Sequence, residues 1–360
     1  MYFCEDFTNV NLTNLVNGLD VYNSDKNIWL GYGLHDEEPS IIHHFAFAEN
    51  PKFFKYPLFR SGFAISSAFV SRLMQQKKLK SKSEFSIDAS HELAMFIGQN
   101  YPLMHVPTLF CAKKNLNCAS YPIKRKLCDN NLSKEELFIA VKTCQKFHHS
   151  RVPIVKKTWG REAPYIEFFS DKQNKSIPTT SVGIKNTERG HCLKTMKILK
   201  LALKRILYKF NNIKWVILVD DDNFIFSIDR LLSLLGCFDN DCVVGERYGY
   251  NVKLNSGYNY PTGGGGIAFG VSILQDIVEY CHCPANDSPD DMVLGMCLST
   301  LGIPLIHSSL FHQARPADYA QSYLQIDKPV SFHKHWNVDP LSVYNQWFSK
   351  SNIKIVHTEL

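Results

Sequence analysis

The stretch KWVILVDDDNF, Lys214 to Phe224, carries five apolar residues directly before the aspartates Asp220, Asp221 and Asp222. The apolar run predicts a buried strand, and the aspartates concentrate negative charge at its carboxyl end. Adjacent carboxylates repel one another, so folding gains nothing from the cluster unless a cation or ligand compensates the charge. A divalent cation bound through oxygen is favoured over a helix cap or a solvated turn.

The sequence before this stretch alternates strands and helices. LFIAVKT (Leu137–Thr143) and YIEFFSD (Tyr165–Asp171) predict two more strands. Residues His191–Phe210 place apolar side chains at helical spacing and predict an amphipathic crossover helix. Its other face is predicted to carry Lys194, Lys197, Lys200 and Lys204. This order predicts an α/β fold with a mostly parallel sheet, whose ligands gather at the carboxyl ends of the strands.

The glycine run YPTGGGGIAFG, Tyr260–Gly270, is the second element of a predicted site. Without Cβ atoms, the backbone at Gly264 and Gly265 can approach a sugar or nucleotide closely and offer its N–H groups. A flexible loop is the alternative, and the following IAF, which predicts a return to a buried strand, weighs against it.

Two further aspartates, Asp290 and Asp291 of SPDDMVLG, stand at a predicted helix start. By themselves they are typical of a helix N-terminus, where acidic side chains complement the helix dipole. Downstream of a metal cluster and a glycine run, the interpretation as a general base is favoured. Such a base removes a proton from an acceptor hydroxyl as the new bond forms. We expect its pKa to lie above the usual value, because the other carboxylate is adjacent.

Composition excludes several classes of protein. The chain of 360 residues has 45% hydrophobic and 21% charged residues, ordinary values for a globular protein, and no apolar run long enough to span a bilayer. The net charge of +6 is mild, and the basic runs lack aromatic interleaving, which disfavours nucleic-acid binding.

The cysteines and the last residues indicate the secretory pathway. The 11 cysteines lack zinc-site spacing, which favours disulfides in an oxidising compartment. The ending HTEL, residues 357–360, is similar to an endoplasmic reticulum retrieval signal and predicts a location in the lumen. N-glycosylation motifs agree with this, at Asn11, Asn131, Asn174 and Asn286. No signal peptide begins the chain, so we expect a missing or mispredicted front.

The first third repeats landmarks of the rest in the same order. FCEDFTNV matches VDDDNFIF, KYPLFRSGFAIS matches NYPTGGGGIAFG, and DASHELAMFIG matches DSPDDMVLGMC. This pattern predicts a degenerate, N-terminally truncated copy of the later domain. The predicted division is a partial domain at 1–117, a linker at 118–134, a catalytic domain at 135–350 and a tail at 351–360.

Together, TWG, VDDDNF, TGGGG, PDDMVLG and LFH stand in the order found in glycosyltransferase family 31, the fringe-like inverting β-1,3-transferases. The resemblance implies a GT-A (Rossmann-like) fold, a UDP-sugar donor and Mn²⁺. GERYGY, SFHKHWN and HDEEPSIIHHFAFAENP look most like the members that transfer glucose from UDP-glucose to O-linked fucose on thrombospondin type 1 repeats. Alternatives are β-1,3-galactosyl or N-acetylglucosaminyl transfer, or a lectin-like module without turnover.

The resemblance also implies roles for individual residues. Asp291 would be the catalytic base. The donor nucleotide would be contacted by Arg151, Thr143, Asp221, Gly264 and Gly265. Asp220 and Asp222 would hold the metal with one histidine. The family has a histidine two residues after LFH, where this chain has Ala314. The resemblance therefore implies His333 of SFH as that ligand, with His312 as the fallback.

Overall fold

The computed structural model describes residues 1–44, 48, 50–75, 83–98, 100–125, 128, 132–223, 225–254, 256–334 and 337–348. Residue 131 and the ending at 357–360 lie outside the described residues. The helices are α1 (Leu12–Asp20), α2 (Ser67–Gln75), α3 (Ala89–Ile97), α4 (Val152–Lys157), α5 (Cys192–Lys209), α6 (Ile228–Leu235), α7 (Val271–Tyr280), α8 (Asp290–Leu301), α9 (Gln321–Leu324) and α10 (Pro340–Phe348).

The strands are short apart from two buried runs of six residues, β10 and β13. In chain order they are β1 (Tyr2–Phe3), β2 (Thr8–Val10), β3 (Trp29–Gly31), β4 (Gly33–Leu34), β5 (Tyr56–Pro57), β6 (Phe63–Ile65), β7 (Phe85–Ser86), β8 (Met104–His105), β9 (Ser120–Pro122), β10 (Leu137–Lys142), β11 (Ile166–Ser170), β12 (Thr179–Ser181), β13 (Trp215–Asp220), β14 (Ile225–Phe226), β15 (Val243–Gly245), β16 (Arg247–Tyr250), β17 (Tyr258–Pro261), β18 (Ile267–Gly270), β19 (Leu305–His307) and β20 (Ser331–Phe332).

The chain forms two compact units. Unit 1 consists of Met1–Lys126, Asn251–Asn255 and Pro316–Lys328, and unit 2 consists of the remaining segments, Leu127–Tyr250, Ser256–Arg315 and Pro329–Leu360. The mixed α/β class predicted from the sequence is confirmed. The domain bounds at 118–134 and 350 stay predictions.

Unit 2 is built on a seven-stranded sheet with the order β12-β11-β10-β13-β18-β15-β19. The strands β12, β11, β10 and β13 are parallel, β18 is antiparallel to both of its neighbours, and β15 and β19 are parallel. The predicted strands correspond to β10, β11 and β13, and the predicted crossover helix is α5. The carboxyl ends of β10 and β13 meet at one edge, which is where the aspartates lie.

Both faces of this sheet are covered, because successive strand residues point to opposite sides. In β13, Trp215, Ile217 and Val219 belong to one buried cluster, and Val216 and Leu218 belong to the other. One cluster includes α4 and α6, and the other includes α5, α7 and α8. Burial on both faces explains why the sequence of β13 is a continuous apolar run.

Helix α5 departs from its predicted amphipathic pattern at one lysine. Lys197, Lys200 and Lys204 are exposed as expected, but Lys194 is buried. Its ammonium donates to Asn186 Oδ1 at 2.8 Å. The expectation of a solvated Lys194 was wrong, because the first turn of α5 points this residue into the protein.

Unit 1 has a four-stranded sheet with the order β1-β6-β3-β8. β6 is antiparallel to β1 and β3, and β3 is parallel to β8. One face packs Trp29, Phe63 and Phe69 into a core. The other face packs Leu30 and Phe110.

The predicted disulfides are present. Cys111 pairs with Cys118 in unit 1, and unit 2 holds three pairs, namely Cys128–Cys237, Cys192–Cys283 and Cys281–Cys297. Cys4, Cys144 and Cys242 are free among the described residues. In the same part of the chain, no helix has the length and apolar character that crossing a membrane requires.

Substitution of Phe269 tests the contribution of the buried cluster that includes α5, α7 and α8. It is fully buried in β18, so Phe269→Ala should lower the free energy of unfolding by about 3–5 kcal/mol. Tyr208→Ala is the matched control, since Tyr208 is 82% exposed and its loss should change stability by less than about 0.5 kcal/mol. Urea titration measures both variants. Equal effects would contradict the described burial.

Candidate active site

The carboxyl ends of β10 and β13 bring a lysine and an aspartate together. Lys142 and Asp220 are paired residues in the register of these parallel strands. Lys142 Nζ lies 3.0 Å from Asp220 Oδ1 and 2.8 Å from Asp290 Oδ2. Asp290 also accepts a hydrogen bond from the Thr195 hydroxyl at 2.6 Å. One buried ammonium therefore joins the triple aspartate to the start of α8.

Asp221 contacts a different set of side chains. Its carboxylate accepts from the Thr143 hydroxyl at 2.6 Å and from Arg151 at 3.0 Å. The Arg151 guanidinium also lies 3.0 Å from Asp222 and stacks over the Phe147 ring at 3.7 Å. Burial raises the pKa of Asp221 to about 6, although Thr143 and Arg151 favour its charged form. The structure thus brings together three residues predicted to contact a donor nucleotide.

Asp220, Asp222 and His333 form the third group. One ligand atom from each lies within 4.8 Å of the others. His333 Nε2 is 3.1 Å from Asp222 Oδ1 and 3.9 Å from Asp220 Oδ2. The other ring nitrogen, Nδ1, donates to the Gln313 carbonyl at 3.0 Å, which directs Nε2 towards the carboxylates. Two carboxylates and an imidazole fit a divalent ion such as Mn²⁺.

The glycine run supports this histidine. A Cβ on Gly264 would lie 2.2 Å from His333 Nδ1, so only glycine leaves room for the ring. The Gly264 carbonyl accepts from the Asn223 side chain at 2.9 Å, and the Gly265 N–H donates to Gln313 Oε1 at 3.0 Å. Glycine at 264 is therefore needed to make room for the His333 ring, and the predicted contact of Gly264 and Gly265 with a donor nucleotide stays a prediction.

His312 lies apart from this group of ligands. It is buried, and its Nδ1 lies 3.0 Å from the Ser331 carbonyl oxygen. Burial lowers the pKa of His312 to about 4. The ligand atoms that cluster with the aspartates come from His333 and do not include His312.

The two aspartates at the start of α8 have opposite electrostatics. Burial by itself raises the pKa of Asp290. The Lys142 ammonium and the Thr195 hydroxyl outweigh this effect of burial and hold the pKa at about 2. Burial and the adjacent Asp290 carboxylate raise the pKa of Asp291 to about 6. Asp290 is therefore the fixed charge of the pair, and Asp291 is the group that can exchange a proton near neutral pH.

Sequence reasoning missed Lys142 and Thr195. Burial alone would lower the pKa of Lys142, but Asp220 and Asp290 raise it above the usual value. The signal for Lys142 was present, since it is the one charged residue of the β10 run LFIAVK. No signal in the sequence indicated Thr195, because its role depends on how α5 packs beside α8.

A family model described as Fringe-like matches residues 132–353, a range that contains every residue of the site. The β-1,3-glucosyltransferase of Homo sapiens is 47% identical over 360 residues, covering 98% of this chain and 71% of that protein. The β-1,3-N-acetylglucosaminyltransferase manic fringe of Danio rerio is 27% identical, covering 63% of this chain and 71% of that protein.

Among solved structures, a glycosyltransferase involved in glycosylation of the major capsid of PBCV-1 is similar at 12% identity. The similarity covers 59% of this chain and 98% of that one, with a TM-score of 0.37. At this score it adds no argument to the sequence comparisons.

Gly264→Ala tests the packing of the His333 ring against the glycine run. The new methyl group should displace the His333 ring and weaken Mn²⁺ binding at least about 10-fold, measured by calorimetry in the presence of UDP. Gly263→Ala is the control, since a Cβ at 263 meets nothing within 4 Å and should leave binding unchanged. Equal metal affinity in both variants would contradict the described packing.

Lys142→Ala tests the bridge between the two groups of carboxylates. It leaves the partly buried Asp220 and Asp290 carboxylates without their cation, which should cost about 1–3 kcal/mol of unfolding free energy. Lys214→Ala removes a lysine that is 55% exposed from its pair with Glu136 and should cost less than about 1 kcal/mol. Chemical denaturation compares the two, and similar losses would show that Lys142 is not a buried bridge.

Proposed function

Because the chain belongs to the fringe-like family and is a β-1,3-glycosyltransferase, we propose that it transfers glucose from UDP-glucose to O-linked fucose on thrombospondin type 1 repeats. The observation that carries this proposal is the bridge through Lys142 between a metal-ligand set and the start of α8, where Asp291 lies. A metal-assisted transfer needs both groups at one site. The identity of 47% to a β-1,3-glucosyltransferase supports glucose as the sugar.

The donor end of the site has a role for each carboxylate. Asp220, Asp222 and His333 would hold Mn²⁺, which when bound supplies charge neutralisation for the departing diphosphate. Asp221, kept in place by Thr143 and Arg151, would orient the nucleotide. Thr143 pairs with Asp221 and His333 pairs with Asp222, so one segment can serve both tasks.

At the acceptor end, Asp291 would accept the proton of the fucose 3-hydroxyl. As it loses its proton, the fucose 3-oxygen attacks the anomeric carbon of glucose from the face opposite UDP. The bond between that carbon and the UDP oxygen breaks at the same time. A single displacement inverts the configuration and produces a β linkage. Asp290 stays ionised beside Lys142, so its negative charge raises the pKa of Asp291 and strengthens it as a base.

We also propose that unit 1 is a partial copy of the GT-A-type unit 2. Its strand order β1-β6-β3-β8 corresponds to β13-β18-β15-β19, with antiparallel, antiparallel and parallel pairs in both. The antiparallel pairs β2–β9 and β4–β5 correspond to β14–β20 and β16–β17.

The corresponding positions in unit 1 lack the chemistry of unit 2. Cys4, Glu5 and Asp6 stand where the triple aspartate would be. Arg60 stands within the segment that matches the glycine run, and its buried guanidinium pairs with Asp327. A non-catalytic, acceptor-binding or buttressing role is therefore proposed for unit 1.

The disulfides agree with an oxidising compartment. Together with the HTEL ending, they support the proposal that the protein works in the lumen of the endoplasmic reticulum on glycoprotein acceptors.

A donor screen tests the substrate. With an O-fucosylated thrombospondin repeat and Mn²⁺, UDP-glucose should be consumed much faster than UDP-galactose or UDP-N-acetylglucosamine, and product NMR should show a β-1,3 linkage. Preference for either other donor would favour the alternative transferases, and no turnover of any donor would favour a lectin-like module.

The pH dependence of the transfer tests the base. Asp291 must be deprotonated to act. We therefore expect kcat/KM to decrease as the pH is lowered below about 6, where the Asp291 carboxylate becomes protonated. Asp291→Asn should lower kcat by about 10²–10⁴-fold.

Asp290→Asn provides the matched comparison for the pH profile. It removes a negative neighbour and one of the two carboxylates that neutralise the Lys142 ammonium, and both changes favour the charged form of Asp291. The acidic limb should therefore move to lower pH. A limb that stays or moves upward would contradict the assignment of Asp291 as the base.

A further inference from the structure

A second group of potential metal ligands lies within unit 1. Asp36, His43 and His91 each offer one ligand atom within 4.8 Å of the others. All three are buried, with exposed fractions of 8%, 4% and 3%. Asp36 and His43 come from the connection between β4 and β5, and His91 lies in the first turn of α3. No role in the proposed transfer uses these residues.

The side chains around this group orient the ligand atoms. The Tyr56 hydroxyl donates to Asp36 Oδ1 at 2.8 Å, and Asp36 Oδ2 lies 2.6 Å from His43 Nδ1. The other nitrogen, His43 Nε2, lies 3.2 Å from Asp88 Oδ2. Imidazoles that bind metals almost always hold their other ring nitrogen against such an acceptor. Tyr56 and Asp88 thus leave Oδ2 and Nδ1 facing the same point.

Two carboxylates flank the His43 ring, one at each nitrogen. Burial by itself lowers the pKa of His43, but the Asp36 and Asp88 carboxylates outweigh it and raise this pKa to about 9. Burial lowers the pKa of His91 to about 4, so His91 is a neutral imidazole. An ion bound here would take the place of the proton that His43 shares with Asp36.

The metal-ligand set of unit 2 has the same form. There too an imidazole nitrogen lies within hydrogen-bond distance of a carboxylate oxygen, at 3.1 Å between His333 and Asp222. There too the other ring nitrogen is held, by the Gln313 carbonyl. A direct contact between imidazole and carboxylate is therefore compatible with a site that opens to accept an ion between them.

We propose that unit 1 binds a transition-metal ion through Asp36, His43 and His91, at a structural site separate from the one in unit 2. Two imidazole nitrogens and one carboxylate favour Zn²⁺, whereas a set richer in oxygen favours Mn²⁺ or Mg²⁺. The His91 ring stacks on His43 with a centroid distance of 3.8 Å, so it turns out of this stack when the ion binds. The ion ties the β4–β5 connection to α3.

Calorimetry with ZnCl₂ on the chelator-treated full chain tests the site. The starting variant carries Asp222→Asn and His333→Ala to remove the ligands of unit 2, and Cys4→Ser to remove an exposed thiol that also takes zinc. This variant should bind one equivalent of zinc. No zinc binding by it would overturn the proposal.

Three further substitutions in that variant distinguish a proposed metal ligand from a residue that orients a ligand and from a surface control. His91→Gln should weaken zinc binding more than about 10-fold, and Asp88→Asn should weaken it about 10-fold. His35→Ala is the control, because His35 pairs with Glu37 on the surface and should leave affinity unchanged. Unchanged affinity in His91→Gln, or a loss in His35→Ala equal to it, would overturn the assignment.

A measurement on the starting variant alone avoids any dependence on how the other variants fold. X-ray absorption of its bound zinc should show two imidazoles and oxygen ligands with no sulfur. Sulfur ligands or a single imidazole would place the ion elsewhere. Zinc should also raise the Tm of this variant, and a Tm that zinc does not change would contradict a structural site in unit 1.

Discussion

The ion pairs of Lys142 with Asp220 and Asp290 are the interaction on which the site depends. Strand register places Lys142 opposite Asp220, and the packing of α8 places Asp290 against the same ammonium. Without this cation, two partly buried carboxylates would lie together uncompensated, which would destabilise the fold. The lysine therefore makes the folding of the acidic edge possible and holds its two halves together.

The repulsion within the triple aspartate is offset by the positively charged and hydrogen-bonding side chains around it. Asp220 is the last residue of β13 and meets Lys142, while Asp221 points to Thr143 and Arg151. Asp222 points to His333. Arg151 is shared by Asp221 and Asp222, and His333 is shared by Asp220 and Asp222, so the compensating groups link all three side chains. A solvated turn would need no such set of buried partners.

Much of unit 2 could be predicted because its signals are local. Continuous apolar runs predicted β10 and β13, and helical periodicity predicted α5 within one residue at each end. Lys194 was wrongly assigned to solvent, because periodicity describes one helix and cannot show which neighbours cover its first turn. The acidic site was predicted from unusual residues at a strand end, but the partners that neutralise it were not.

The sequence by itself determined the strand that ends in aspartates, the helix that begins with Asp290 and the class of fold, since each depends on neighbours in the chain. Only the tertiary structure decided that His333 joins the aspartates, that Gly264 makes room for its ring, and that Lys142 separates the roles of Asp290 and Asp291. These relations connect residues far apart in the chain. Their distances and burial, which set the pKa values, exist only once the sheet and its helices have packed.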